Sequence, residues 1–236
     1  MEEHTPYNDS DTIICIPGLG GHESSLASYK KLLPEYNVLF LRVVDHAEAL
    51  IQLLDICKNK KKVILFCNCY GIQLALRAIE VHPEKIKQLV VVEAFFMEFH
   101  IWRIPAIYSA KALLWLLRFT DFLGFRRRRF HSIDYAKCAQ YPIIFQPLFD
   151  VRWQNLTDYF SKIEDIVTFI LPARVSIPTL FILAQKGYLR SRKDRERVKS
   201  IFVHSSLVEV SSKTHNIISL ASEEIASLVR TWLSSF

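Results

Sequence analysis

Short apolar segments alternate with helix-like segments between residues 12 and 92. The apolar segments are Thr12–Ile16, Asn37–Val44, Val63–Phe66 and Leu89–Val92. Each is apolar at successive positions, a pattern typical of strands that are buried on both faces. His46–Cys57, which lies between two of them, instead spaces its apolar residues at helical intervals. This order predicts an α/β domain in which helices cover both faces of a parallel, doubly wound sheet.

The pattern changes from about residue 95 to residue 174, where aromatic-rich helical segments and the run Arg126–Arg129 replace it. Further strands are predicted at 178–183 and 206–210, and a closing helix at 222–233. The chain has 236 residues, of which 50% are hydrophobic, so it can enclose one sizeable core, and no Pro/Gly/Ser-rich linker divides it. We therefore predict a single domain, residues 1–236, with a helical cap inserted at about residues 95–174.

Charge and cysteine content restrict the partners and the compartment. The chain has 30 Lys and Arg against 24 Asp and Glu, and the excess is concentrated in Arg126–Arg129 and Arg190–Lys199, which favours an anionic partner over nucleic acid. Five cysteines without regular spacing make a poor disulfide framework, so a reducing, cytoplasmic location is predicted. No signal peptide is expected at Met1–Thr12. Charged residues interrupt Ile101–Phe125, so no transmembrane segment is expected.

The turn Cys67-Asn68-Cys69-Tyr70-Gly71 joins the third predicted strand to a helix. A nucleophile elbow is such a turn, so tight that its central residue adopts a strained backbone and projects its side chain above the sheet. The positions two before and two after the centre must be small, and here they are Cys67 and Gly71. The turn therefore predicts a nucleophile at Cys69.

At this point the chain resembles the α/β-hydrolase superfamily, whose elbow reads GxSxG where this chain reads CxCxG. The resemblance continues in chain order with PGLGG after the first strand, HPEKIKQLVVVEAF after the elbow helix, IPTLFIL before the usual acid, and SSKTHNI near the C-terminus. These features cover nearly the whole chain. They imply the α/β-hydrolase fold, a mostly parallel sheet with helices on both faces and a helical cap. Dienelactone hydrolases and polyhydroxyalkanoate synthases of this superfamily have a cysteine nucleophile.

The resemblance implies roles for four residues. Cys69 would be the nucleophile and His215 the base that removes its proton. The backbone N–H groups of Leu19 and Tyr70 would form the oxyanion hole. We also expect the helix N-terminus and His215 to lower the pKa of Cys69 below its reference value of about 8.5.

The chain departs from the family where the acid of the triad is expected. After IPTLFILA the family carries an acidic residue, but this chain has Gln185-Lys186-Gly187-Tyr188. Two other acids are candidates. Glu93 ends the fourth strand, which supplies the acid in some members, and Asp194 lies beyond the usual place, in a run that is also typical of a solvated helix face. A cysteine–histidine pair without a carboxylate would work more slowly.

Each candidate also has a structural interpretation. Cys69 is then a buried structural thiol, His215 a surface histidine and Glu93 a polar strand end. Apolar cap residues either line a pocket above Cys69 or only pack the cap. These residues are Trp102, Ile107, Trp115, Leu116 and Phe119.

The sequence favours a hydrolase or acyltransferase that acts on an ester or thioester of an apolar acyl group through an acyl-cysteine intermediate at Cys69. A small-molecule acyl ester or thioester is the expected substrate, and charge makes an acyl carrier protein or coenzyme A a candidate partner. Neither a metal nor another cofactor is expected, because CxxC and HxH motifs are missing. Two alternatives stay open. One is a catalytically degenerate binding or scaffold protein, and the other is a redox or acylation sensor that uses Cys67 and Cys69.

Overall fold

The computed structural model describes residues 11–18, 26–43, 46–96, 105, 108, 109, 112, 115, 165, 166, 168–185, 187, 189, 191–212 and 217–236. Contacts divide the chain into two compact units. The first comprises Met1–Pro17, His22–Ala94 and Ala173–Phe236, and the second Gly18–Gly21 and Phe95–Pro172. The sheet belongs to the first unit.

Six parallel strands form one sheet in the order β2-β1-β3-β4-β5-β6. They are β1 (Thr12–Ile16), β2 (Asn37–Phe40), β3 (Val63–Asn68), β4 (Ile86–Val92), β5 (Thr179–Ala184) and β6 (Ser205–Val210). The four inner strands are buried along almost their whole length, and the two edge strands are partly exposed. Parallel strands need crossover helices that cover the faces of the sheet, so this burial follows from the topology. The predicted doubly wound sheet is confirmed.

Helices cover both faces of the sheet. They are α1 (Tyr29–Leu32), α2 (His46–Asn59), α3 (Gly71–Val81), α4 (Arg192–Ile201), α5 (Ile217–Leu220) and α6 (Ser222–Leu233), and a 3₁₀ turn (Pro83–Lys85) precedes β4. Buried residues of α1, α5 and α6 share one apolar cluster with side chains from β1, β3, β4 and β5. Helix α3 contacts β1, β3 and β4, and α2 packs beside it. Since α2 and α3 contribute nothing to that cluster, they cover the opposite face.

Strand pairing explains where the strands differ from the predicted bounds. β2 ends at Phe40 rather than Val44, because its only partner is β1 and that pairing stops at Cys15 and Phe40. β3 continues to Asn68, which pairs with Val92 of β4. Pairing with neighbouring strands therefore determines where β2 and β3 end, whereas the local apolar pattern does not.

The predicted cap lies mostly outside the described residues, including Trp102, Ile107, Leu116 and Phe119. Trp115 is described and is exposed. In the part of the chain that the structure describes, no helix is long and apolar enough to cross a membrane.

Candidate active site

The turns that follow β3, β4 and β5 lie together, because parallel strands bring their carboxyl ends to one edge of the sheet. Cys69 follows β3 and Glu93 follows β4. The backbone N–H of Cys69 donates to the carbonyl of Val92, and that of Glu93 to the carbonyl of Ile182, both at 2.9 Å. These bonds continue the ladder past the strand ends and hold the two candidate residues on adjacent turns.

Cys69 has the backbone expected of a nucleophile elbow. Its φ is 47°, in the left-handed region that non-glycine residues seldom adopt. Tyr70, the next residue, is already helical, and α3 begins at Gly71. A residue held in such a conformation costs on the order of 1–3 kcal/mol and persists only where the surrounding structure enforces it. The strain at Cys69 therefore motivates a functional hypothesis.

Close packing explains the glycine two residues after Cys69. A Cβ added at Gly71 would lie 2.7 Å from the carbonyl oxygen of Ile16 and 2.9 Å from that of Pro17. Real Cβ atoms essentially never approach backbone so closely, so a larger residue would force the elbow and the end of β1 apart. The elbow thus packs closely against Ile16 and Pro17, where the chain enters the PGLGG turn.

Cys67 is sealed inside the sheet. It is fully buried, its thiol donates to the carbonyl of Val90 at 3.4 Å, and burial raises its pKa far above the usual range. Cys69 is partly exposed. An inaccessible, protonated thiol is a poor redox partner, so this placement favours a packing role for Cys67.

The surroundings of the Cys69 sulfur disfavour its thiolate form. Burial raises its pKa to about 12, the backbone N–H of Tyr70 lowers it, and the charge of Glu93 raises it. The predicted lowering of this pKa is wrong for the described surroundings, because the loss of hydration outweighs the contribution of the helix N-terminus. Attack on a carbonyl carbon therefore requires a base that takes the thiol proton.

Glu93 holds its carboxylate inside the protein, against the turn that follows β5. The residue is 1% exposed and its φ is 53°, also left-handed. Oε1 accepts a hydrogen bond from the backbone N–H of Ala184. A Cβ added at Gly187 would lie 2.8 Å from the carboxyl carbon of Glu93, so a larger residue there would require the carboxylate or the turn to move.

The carboxylate of Glu93 therefore lies against the turn where the family resemblance leads one to expect the acid. The carboxylate of Glu93, the residue after β4, occupies the space beside that turn. Gly187 has no side chain that would fill this space. The sequence analysis named Glu93 but gave Gly187 no role. The sequence feature that could have indicated this arrangement was Gly187, a glycine within the segment where an acid was expected.

Asp194 lies in the first turn of α4. Its backbone N–H donates to the hydroxyl of Ser191 at 3.0 Å, which makes Ser191 the N-cap of this helix. Arg192 and Glu196 form an ion pair one turn apart, at 2.7 Å. An acid in the first turn of a helix interacts favourably with the helix dipole, so these contacts favour a structural role for Asp194.

Two predicted site residues, Leu19 and His215, lie outside the described residues. β6 ends at Val210 and runs parallel to β5, so the chain leaves it at the same edge of the sheet as Cys69. His215 comes five residues after that end.

The sequence analysis missed His46 and considered only the backbone of Tyr70. Nδ1 of His46 and the hydroxyl of Tyr70 share a buried hydrogen bond. No local pattern signals this pair, because the two residues are 24 positions apart and belong to different segments. Among the described residues, no group of three or more His, Cys, Asp or Glu side chains could hold a metal ion.

Known structures share this architecture, although no protein-family model and no curated protein sequence matches the chain. An alpha/beta hydrolase enzyme from a Medee basin deep-sea metagenome library is 14% identical, with a TM-score of 0.62 over 95% of this chain and 90% of that one. A thioesterase domain from the curacin biosynthetic pathway is 16% identical, with a TM-score of 0.63 over 93% and 91%. An epoxide hydrolase from Bacillus megaterium is 8% identical, with a TM-score of 0.65 over 95% and 93%. Identities this low show a shared fold, and the reaction must be argued from the site.

Proposed function

We propose that this chain, which has the α/β-hydrolase fold, is a hydrolase or acyltransferase that opens an ester or thioester of an apolar acyl group through an acyl-cysteine at Cys69. The observation that carries this proposal is the strained, left-handed backbone of a partly exposed cysteine between β3 and α3. The structural likeness of the chain to a thioesterase domain supports an ester or thioester as the substrate class. The preference for an apolar acyl group rests on the composition of the cap.

The reaction begins when His215 removes the thiol proton of Cys69 and the sulfur attacks the acyl carbon. The negative charge that forms on the acyl oxygen is stabilised by the N–H groups of Tyr70 and Leu19. The bond to the leaving oxygen or sulfur then breaks, and the imidazolium of His215 returns the proton to the leaving group. Water or a second acceptor attacks the acyl-cysteine, with His215 as base, and the thiol is restored.

Glu93 supplies the carboxylate that orients His215 and stabilises its charged form. Two observations support Glu93 over Asp194. Its carboxylate is buried on the turn next to that of Cys69, and its charge influences the sulfur. Asp194 has contacts that belong to the start of α4.

For a thioester substrate, the leaving group is the thiol of coenzyme A or of an acyl carrier protein. Helix α4 supports this possibility by its charge, since five of its ten residues are Arg or Lys and two are Asp or Glu. A basic helix attracts phosphate groups and acidic protein surfaces.

A degenerate binding or scaffold protein is the second candidate function. It is favoured by the raised pKa of Cys69 and by the lack of an acid in residues 185–188. Such a protein would keep the fold without turnover.

Turnover and trapping of the intermediate test the enzymatic proposal. p-Nitrophenyl esters and acyl-coenzyme A thioesters of increasing chain length are incubated with the wild-type protein. We expect hydrolysis that rises with chain length and an acyl adduct on the Cys69 peptide in mass spectrometry. Cys69→Ala removes the nucleophile and should lower turnover by on the order of 10³-fold or more. Cys57→Ala, which removes a buried cysteine of α2, is the matched control and should retain turnover.

Equal turnover in Cys69→Ala, or turnover without a Cys69 adduct, would overturn the acyl-cysteine mechanism. Failure to turn over any ester or thioester would favour the scaffold protein instead.

A further inference from the structure

A buried histidine and a buried tyrosine are joined beside the elbow. Nδ1 of His46 and the hydroxyl of Tyr70 share a hydrogen bond, and the two rings meet edge to face with their centroids 5.3 Å apart. Tyr70 is 1% exposed and His46 is 9% exposed. When the imidazole is neutral with its proton on Nε2, the phenol donates and Nδ1 accepts.

This hydrogen bond joins the starts of two packed helices. His46 is the first residue of α2, Tyr70 immediately precedes α3, and the two helices contact each other. Tyr70 also directly follows Cys69, so its backbone forms part of the turn that holds the sulfur. A displacement of the Tyr70 ring would therefore be transmitted to that turn.

The polar character of the pair indicates that it contributes geometry as well as packing. The buried side of α3 is otherwise almost entirely apolar. Two apolar side chains of similar shape could fill the same volume, and replacing both partners of a buried hydrogen bond in this way is often nearly neutral for stability. A hydrogen bond differs from an apolar contact in that it sets both a distance and a direction. The pair can thus hold Tyr70 in one position.

The group held in this way is the backbone N–H of Tyr70. It acts on the sulfur of Cys69 and lowers the thiol pKa, against the burial that raises it. Under the proposed function, the same N–H also donates to the oxyanion. Both tasks depend on a donor about 3 Å from its acceptor, and a displacement of about 1 Å can cost about a hundredfold in rate.

We propose that His46 and Tyr70 form a positioning pair, whose hydrogen bond fixes the backbone N–H of Tyr70 against the sulfur of Cys69 and the oxyanion that forms beside it. The oxyanion part of this inference rests on the proposed function. The sulfur part can be measured without turnover.

Three variants test the pair through two readouts. Tyr70→Phe removes the hydroxyl, His46→Leu removes the acceptor, and His46→Gln restores an acceptor. In the first two we expect kcat for an acyl ester to fall about tenfold at unchanged KM. We also expect alkylation of Cys69 by iodoacetamide at pH 9, followed on its peptide by mass spectrometry, to slow at least about threefold, because the thiolate loses stabilisation. His46→Gln should recover part of both losses.

The double variant Tyr70→Phe/His46→Leu should perform no worse than either single variant, because the two side chains act through one bond. Additive losses in the double variant would contradict a shared role.

Tyr29→Phe is the matched control. Tyr29 is also fully buried, and its hydroxyl donates to the carbonyl of Ile218 at 2.9 Å, within the apolar cluster on the face of the sheet opposite α3. This variant should lower Tm about as much as Tyr70→Phe but leave kcat and Cys69 alkylation unchanged. If Tyr70→Phe also leaves both unchanged, the pair is only structural and the proposal is overturned. If the wild type shows no turnover but Tyr70→Phe still slows alkylation, the proposed function fails and the positioning role stands.

Discussion

Two turns at the carboxyl edge of the sheet each contain a residue with a left-handed φ, but they place the side chain of that residue differently. Cys69 and Glu93 each end a central strand, each has a left-handed φ, 47° and 53°, and each donates its N–H to the neighbouring strand at 2.9 Å. Cys69 as a residue is partly exposed, and its turn enters a helix directly. The carboxylate of Glu93 is buried and accepts a hydrogen bond from Ala184.

The comparison teaches that one strained conformation can serve two purposes. At Cys69 it leaves the residue partly exposed. At Glu93 it turns a charged group inward, where neighbouring backbone holds it. We interpret the turn at Cys69 as the one that holds the reactive group and the turn at Glu93 as the one that orients His215. Three predictions test this distinction.

Replacing Glu93 should have the largest effect. In Glu93→Gln the amide oxygen still accepts from Ala184, but the charge that we propose to stabilise the imidazolium of His215 is lost. We expect kcat for an acyl ester to fall by roughly 10²- to 10⁴-fold, measured at substrate saturation. Asp194→Asn is the control and should keep full activity. A large loss in Asp194→Asn with an active Glu93→Gln would reverse the assignment of the acid.

Substitution of Gly187 should have an intermediate effect through the same carboxylate. In Gly187→Ala the added Cβ occupies the space of the Glu93 carboxyl group, so the carboxylate or the turn after β5 must move. We expect a loss of stability of roughly 1–3 kcal/mol in urea unfolding, and a drop of at least about tenfold in kcat.

Combining this substitution with Glu93→Gln should add little to the loss of kcat, because both changes act on one group. Normal activity in Gly187→Ala would show that the position of the carboxylate does not matter.

Relief of backbone strain should have the smallest effect on stability and should separate the two turns by the sign of that effect. Cys69→Gly removes a side chain from a left-handed position, so we expect the free energy of unfolding to rise by about 1 kcal/mol while turnover is lost. Glu93→Gly relieves similar strain but leaves the N–H of Ala184 without its acceptor in a buried site, so it should be destabilising. Chemical denaturation measures both. Destabilisation by Cys69→Gly would mean that its turn is not under strain.

The elbow could be predicted because its requirements are local. An apolar strand, a central residue, flanking small residues and a helix all lie within consecutive residues from Val63 to Val81, and packing confirms the need for Gly71. The α/β-hydrolase fold was predictable for a similar reason, since segments of fixed order and periodicity identify it.

The pKa of Cys69 could not be predicted in the same way. Its neighbours in the sequence supply a helix N-terminus, which lowers the pKa, but burial depends on every segment packed around the sulfur. The prediction failed because it counted the helix N-terminus and His215 and left out the loss of hydration on burial.

The sequence by itself determined the parallel α/β architecture and the sharp turn at Cys69, since strand and helix periodicity and the size of adjacent residues are properties of short segments. Only the tertiary structure decided which turn the Glu93 carboxylate packs against, that Tyr70 bonds to His46, and that burial raises the pKa of the Cys69 thiol. The physical reason is distance along the chain. Glu93 and Ala184 are 91 residues apart and His46 and Tyr70 are 24 apart, so these contacts, and the burial that raises the thiol pKa, exist only when the sheet and its helices are assembled.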